Sequence, residues 1–596
     1  MASKGERKGE HPVSEEEVER CPVEEVTLVV PETDDPSLPV MTFRAWFLGL
    51  TSCSLLIFLN TFFTYRTQPL TISAILMQIA VLPIGRFMAS VLPDREVNLL
   101  PGWGFNLNPG PFNIKEHVII TIFASCGVSY GGGDAYSIGA ITVMKAYYNQ
   151  SLSFLCALLI VLTTQITRRW ITDFEMLVGL TDQWGDACCR ALHEKDSRSQ
   201  GLSRMRFFLI FFVASFAYYT LPGYLLPILT FFSWMCWAWP RSITAQQIGS
   251  AYHGLGVGAF TLDWAGISAY HGSPLVTPWF SILNVAIGFV MFIYIIVPVC
   301  YWKFNTFDAR KFPIFSNQLF TATGHKYDTT KILTPDFDLN VAAYDSYGKL
   351  YLSPLFALSI GSGFARFTAT ISHVLLFHGR CLTKVLHMYF TQLAGTIVAG
   401  VLNLSLAWWM LENIENICDV ESLHPDSPWT CPKYRVTFDA SVIWGLVAPG
   451  RLFGHGGLYR NLVWLFLVGA VLPVPVWVLS KIFPEKKWIS LINVPVITYG
   501  FAGMPPATPT NIASWLITGT IFNYFVFRYR KVWWQRYNYV LSAALDAGTA
   551  FMGVLLFFAL QNQHHNLHWW GSELDHCPLA SCPTAPGISV KGCPVF

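Results

Sequence analysis

The sequence predicts an all-α, polytopic integral membrane protein of about a dozen transmembrane helices, some of them discontinuous or re-entrant. Three observations carry that expectation. Hydrophobic residues make up 53% of the 596-residue chain and charged residues only 13%, about half the charge of an ordinary soluble domain. Mean hydropathy is +0.41, and the charges gather at the N-terminus and in a few short runs. The apolar stretches between those runs reach the ~20 residues that a bilayer crossing requires. Tryptophans such as Trp302, Trp408, Trp409, Trp533, Trp534, Trp569 and Trp570 flank them as an interfacial belt would.

Residues 1–41 are polar and acid-rich (Glu15, Glu16, Glu17, Glu24, Glu25, Asp34, Asp35) and read as a flexible tail rather than a signal peptide. A transmembrane domain covers 42–560 and a Cys-containing tail 561–596. The clearest crossings lie near 43–65, 70–92, 206–232, 279–302, 351–377, 387–411, 461–480, 510–527 and 538–560. Weaker or broken ones lie near 118–145, 151–167, 243–262, 438–450 and 488–504.

Orientation follows from three basic loops: Arg190 to Arg206, Lys481 to Lys487, and Arg528 to Arg536. Short loops rich in Lys and Arg stay cytosolic. Residues 488–527 then form a hairpin returning to the cytosol, with Pro505 and Pro506 at an apex that cannot be continuous helix. The last crossing exits, so Cys577, Cys582 and Cys593 meet an oxidising compartment, as do Cys418 and Cys431, which are expected to form a disulfide.

The motifs of soluble catalysis are missing: no Gly-Lys-Ser/Thr phosphate loop, no His-Glu-x-x-His, no Gly-x-Ser-x-Gly elbow. The chain is therefore expected to be no enzyme, to use no cofactor and no resident metal, and to bind no nucleic acid. Any driving energy comes from an ion gradient.

Ionisable groups at membrane depth are the functional candidates, because burying a charge there is costly. Asn108, Pro109, Gly110 and Pro111 break the chain directly before Lys115, Glu116 and His117. A helix start of this kind suits a substrate carboxylate or a proton site, and equally a capping cluster at the interface. Asp134 follows three glycines, which suits a cation or proton site or a simple turn cap. Asp546 sits in the apolar run Leu541–Gly548, as a proton relay or as a hydrogen bond between helices. Arg366, His373 and His378 share or border another apolar segment, where histidine serves as proton carrier or as interhelical hydrogen-bonder.

The Asn108–His117 stretch resembles the Asn-Pro-Gly signature of the oligopeptide transporter family, in its plant branch. Other blocks agree: Phe211–Gly223 (FFVASFAYYTLPG), Gly254–Trp264 (GLGVGAFTLDW), Phe312–Ser316 (FPIFS), Phe438–Gly445 (FDASVIWG), Met504–Thr508 (MPPAT), Asn538–Leu556 (NYVLSAALDAGTAFMGVLL) and His576–Thr584 (HCPLASCPT). The resemblance implies proton-coupled uptake of small peptides or peptide-like compounds, glutathione and metal chelates among them, at the plasma membrane. The partners it implies are that cargo, protons and the lipid bilayer, with homo- or hetero-oligomers open.

One departure matters. Family members carry a long insert with further transmembrane helices between the segment ending at Arg380 and the one resuming at Met388. Here only Cys381 to His387 joins them. The alternative expectation is therefore a shortened, transport-impaired variant that acts as a regulatory or inactive membrane protein.

Overall fold

The computed structural model describes residues 37–66, 72, 74–100, 103–131, 136–177, 202–316, 318–335, 338–377, 386–419, 422–423, 427, 429–500, 507–560, 567, 569–572 and 575–595. Helices dominate. In chain order the ones that position the site are α1 (Phe43–Thr64), α2 (Ala74–Val91), α3 (Ile114–Gly131), α4 (Tyr136–Ala146), α5 (Phe154–Leu177), α6 (Arg204–Thr220), α7 (Trp264–Ser268), α8 (Trp279–Phe289), α9 (Pro354–Phe377), α10 (Leu386–Asn413), α11 (Trp464–Val471), α12 (Val494–Tyr499), α13 (Pro509–Thr520) and α14 (Lys531–Ala559).

Local chemistry sets many of their starts. Thr42, Ser203 and Thr508 cap α1, α6 and α13 by accepting hydrogen bonds from the backbone N–H three residues on, and Pro509 opens α13 where a missing N–H costs nothing. α8 runs on through π-helical turns at Val290–Ile296 and Val299–Lys303, which completes one crossing. Six described segments are long and apolar enough to cross a bilayer unaided: Phe43–Thr64, Arg204–Leu225, Trp279–Lys303, Leu393–Asn413, Arg460–Ile482 and Lys531–Ala559. Shorter apolar helices and broken segments lie between them, so the fold is that of a polytopic membrane protein with discontinuous elements.

Helices pack around several apolar cores. α1, α3, α4, α5 and α10 share one apolar core that includes Cys53, Phe123, Ile141, Val161 and Leu404. α8, α9, α12 and α13 share another, with Ile282, Phe289, Leu355, Val496 and Trp515. α6 lies along α14. Hydrocarbon gives no hydrophobic drive between helices, so close backbone approach at small residues holds them. A Cβ added at Gly127 would lie 2.7 Å from the Cys53 carbonyl oxygen, one at Gly548 2.8 Å from that of Phe212, and one at Gly288 1.9 Å from that of Ile497. All three set backbone against backbone, and the last is the closest. Gly288→Ala is therefore expected to push α8 off α12 at a cost of about 1–3 kcal/mol. A lower unfolding midpoint in thermal size-exclusion runs is the expected readout, and an unchanged one contradicts this packing.

The two ends of the bundle differ in chemistry. At one end, Arg536 and Tyr537 donate hydrogen bonds to the Leu202 carbonyl at 3.1 and 2.7 Å, drawing two basic segments together. α14 leads from there to the other end, where Arg66 lies over the rings of Phe62, Trp429 and Phe557. That second end holds three disulfides: Cys236–Cys577, Cys418–Cys431 and Cys582–Cys593. The tail is pinned there across residues 236–310. Asp575 accepts from Ser250 at 2.6 Å, Cys582 O from Gln247 at 3.0 Å, and Arg310 O from Thr584 N–H at 2.8 Å.

α9 and α10 break a common pattern. Helices joined by a short connection usually pack as antiparallel neighbours. Here α9 packs chiefly on α11, α12 and Pro473–Ile482, whereas α10 packs chiefly on α1, α3, α4 and α5, and α5 is a neighbour the two helices share. Residues 378–385, which join the two helices, lie outside the described residues.

Candidate functional site

The Asn108–His117 stretch builds a clasp. The Asn108 side-chain amide donates to Ala89 O at 3.0 Å and Leu92 O at 2.7 Å, satisfying carbonyls at the end of α2 that have no partner within the helix. Its oxygen accepts from Arg44 Nη1 at 2.8 Å, and the same nitrogen reaches Gly110 O at 2.8 Å. Gly110 has φ of 132°, a conformation that favours glycine. Pro109 and Pro111 shape the turn around it. Asn113 and Glu116 then form a reciprocal capping box: Glu116 N–H donates to Asn113 Oδ1 and Asn113 N–H to Glu116 Oε2, both at 3.0 Å.

Glu116 has a stronger partner as well. Arg44 Nη2 lies 3.0 Å from Oε1 and 3.2 Å from Oε2, Nε lies 3.3 Å from Oε1, and the Thr42 hydroxyl also donates to Oε1. Both ionised side chains are 0% exposed. His117 is buried beside them, with Nε2 2.9 Å from Gln78 O, and Lys115 is half-buried. Arg44 ties the starts of α1 and α3 to the end of α2. Its signal in the sequence is a lone arginine just inside an apolar run, beside Phe43, Ala45 and Trp46.

Asp134, Pro505 and Pro506 lie outside the described residues. Asp546, half-buried near the middle of α14, accepts a 2.6 Å hydrogen bond from the Trp264 indole N–H at the start of α7. Asn538, Ser542 and Asp546 are spaced four apart and so share one face. Asn538 donates to Leu275 O at 2.6 Å and Ser542 meets Ser273 at 2.6 Å. That face of α14 therefore meets residues 264–275 at three levels.

The segment facing it is not a regular helix. Between residues 250 and 278 only the five residues of α7 are helical, capped by Asp263, whose Oδ1 accepts from Ala265 N–H at 2.9 Å. Irregular backbone among transmembrane helices survives only where protein or water satisfies it. Side chains of the π-extended α13 do so. Asn511 donates to Gly266 O at 3.0 Å, Trp515 to Gly272 O at 3.0 Å, and Asn523 to Pro274 O and Thr277 O at 2.8 Å each. Ser514 Oγ accepts from Thr261 N–H at 3.0 Å. A broken segment is thus locked between α13 and α14, with a carboxylate at its junction. Half-helices meeting continuous helices are the usual setting of transporter sites.

Comparison with known proteins agrees. A family model described as OPT oligopeptide transporter protein matches residues 40–168, 187–389 and 381–560. The chain belongs to the oligopeptide transporter family. Oligopeptide transporter 3 of Arabidopsis thaliana is 64% identical over 720 aligned positions, covering 97% of this chain and 98% of that protein. Oligopeptide transporter 4 and oligopeptide transporter 2 of the same plant are each 43% identical, over 96% and 98% of this chain and 98% of each relative. No solved structure matches.

Against 596 residues, an alignment of 720 positions must open gaps on the side of this family member. The site residues missed in the sequence are Arg44, Trp264, Asn511, Asn523 and Asn538. The three asparagines do leave a trace, as amides set into otherwise apolar helices.

Proposed function

We propose that this oligopeptide transporter family member is a secondary active transporter that takes up small oligopeptides or peptide-like compounds together with protons across the plasma membrane. The Asp546–Trp264 contact carries the reading. It puts a protonatable carboxylate on a continuous helix at its junction with a broken one, so a change of proton occupancy acts directly on a contact that locks the two together. In this reading Asp546 is the proton relay and Asp134 a second candidate. Asn108, Gly110 and Glu116 hold Arg44, with Pro109 and Pro111 shaping the turn and Lys115 and His117 beside Glu116 in the chain. Glutathione and metal chelates are the peptide-like cargoes to test beside plain peptides. The names of the Arabidopsis relatives support the substrate class.

The test is uptake of labelled tetrapeptide and glutathione at pH 5 and pH 7.5, in cells that lack peptide importers and after surface abundance is measured. Uptake several-fold faster at pH 5 is expected. Uptake equal at the two pH values removes proton coupling from the reading.

A second reading has its own observation. α9 and α10 have different main packing partners although the chain joining them is short, and two separate family matches meet and overlap at 381–389. That supports a block missing near 380–388 and a shortened, non-transporting isoform that regulates a full-length relative by hetero-association. Surface protein without uptake, together with altered uptake by a co-expressed relative, is what it requires. Uptake by this chain alone rules it out.

A further inference from the structure

α9 carries a polar stripe that the functional reading leaves unused. Ser359, Ser362, Arg366, Thr370 and His373 are spaced three or four apart and share one face. The other faces are accounted for. Phe367, Ile371 and Leu375, exposed by 51%, 45% and 64%, form an apolar outer face. Ala365 and Thr368 meet α11, where Thr368 donates to Phe466 O at 2.7 Å and a Cβ at Gly469 would lie 2.0 Å from Ala365 O. Arg366 belongs to neither face.

Its depth is notable. α9 has 24 residues, about 36 Å at 1.5 Å per residue, and Arg366 lies at its middle. Among the described residues no carboxylate lies within ion-pair distance of its guanidinium, which instead sits 5.3 Å from the Tyr499 ring centroid. Tyr499 closes the six-residue α12. The Tyr499 carbonyl accepts from Tyr270 OH at 2.7 Å, and its ring lies 5.0 Å from that of His271. Tyr270 and His271 belong to the broken segment, so two interrupted elements converge beside one arginine. The space is open as well. Gly363, one turn before Arg366, is half-buried, and a Cβ built there would meet nothing within 4 Å.

An arginine at mid-helix depth with no counter-ion among the described residues is costly, and it is tolerated where it faces a wet cavity or an anion. Its planar fork matches a carboxylate bidentately. The geometry points to Arg366 as the subsite for a carboxylate of the cargo, terminal or side-chain, with Tyr499, Tyr270 and His271 walling the group beside it. The proposal rests on the transport reading for the peptide nature of the cargo.

The experiment uses the full chain in nanodiscs and three probes: tetraalanine, its C-terminal amide, and the amide with one alanine replaced by glutamate. Binding is measured on wild type, Arg366→Gln and Arg366→Lys, and uptake in parallel in proteoliposomes. Wild type should bind tetraalanine at least about tenfold more tightly than its amide, as expected for a charge-assisted pair. Arg366→Gln should abolish that preference. Arg366→Lys, which keeps the charge and loses the fork, should retain part of it and serves as the variant if the glutamine form does not fold. Recovery of binding by the glutamate-containing amide assigns the subsite to a side-chain carboxylate, and its failure assigns it to the terminus. An undiminished preference in Arg366→Gln, or a wild type that binds none of the probes or all equally, overturns the proposal. Carboxylate-selective binding without uptake leaves the subsite standing and sinks the transport reading instead.

Discussion

Arg44→Ala is expected to remove most of the folded protein from the membrane. The arginine and Glu116 are both fully buried, and three guanidinium contacts converge on that carboxylate. Removing one member of such a pair leaves the other charge buried alone, at a cost of about 3–5 kcal/mol. That is a large share of the roughly 5–15 kcal/mol by which folded proteins are stable. The same substitution leaves Asn108 Oδ1 and Gly110 O without their donor. Arg44→Lys should fall between wild type and alanine, because one ammonium cannot reach Glu116, Asn108 and Gly110 in the same plane. The pair Arg44→Met with Glu116→Leu should recover part of the loss, since no buried charge remains. Surface abundance and the unfolding midpoint of the purified protein read out all three variants against wild type. If Arg44→Ala matches wild type in both, the clasp does not hold these helices.

What the sequence made legible follows the range of the physics behind it. Bilayer crossing is a local property of ~20 residues, so Phe43–Thr64 and Lys531–Ala559 stand out from hydropathy alone. The broken elements also leave local marks, as Gly256, Gly258 and Gly272 adopt positive φ. Pairings between distant segments leave none. Cys236 bonds Cys577 across 341 positions, and nothing near either residue names the other. Arg44 escaped notice for a related reason. It lies at the end of a crossing, where an arginine ordinarily snorkels to water, and only the fold brings Glu116 beside it. Trp264 was read within a block of the family resemblance, yet its role as a donor rests on α14 passing 282 positions later. Asp546 itself was conspicuous because one carboxylate in an apolar run is rare whatever surrounds it.

Asp546→Asn is the substitution that separates a relay from a strut. Asparagine keeps the oxygen that accepts the Trp264 indole N–H, so the junction of α14 with the broken segment should survive and surface abundance should stay close to wild type. It cannot take up and release a proton in the working range. Acid-stimulated uptake should therefore fall by about tenfold or more, within the range that positioned proton transfer contributes, and the ratio of uptake at pH 5 to that at pH 7.5 should approach one. Asp546→Ala makes the complementary comparison. It removes the acceptor, leaves the indole N–H unpaired, and should lower abundance as well as uptake. A carboxylate serving only as a strut predicts the reverse order, with Asp546→Asn transporting normally at both pH values. The two roles make opposite demands on one isosteric change, so a single pair of uptake curves, normalised to surface protein, decides between them.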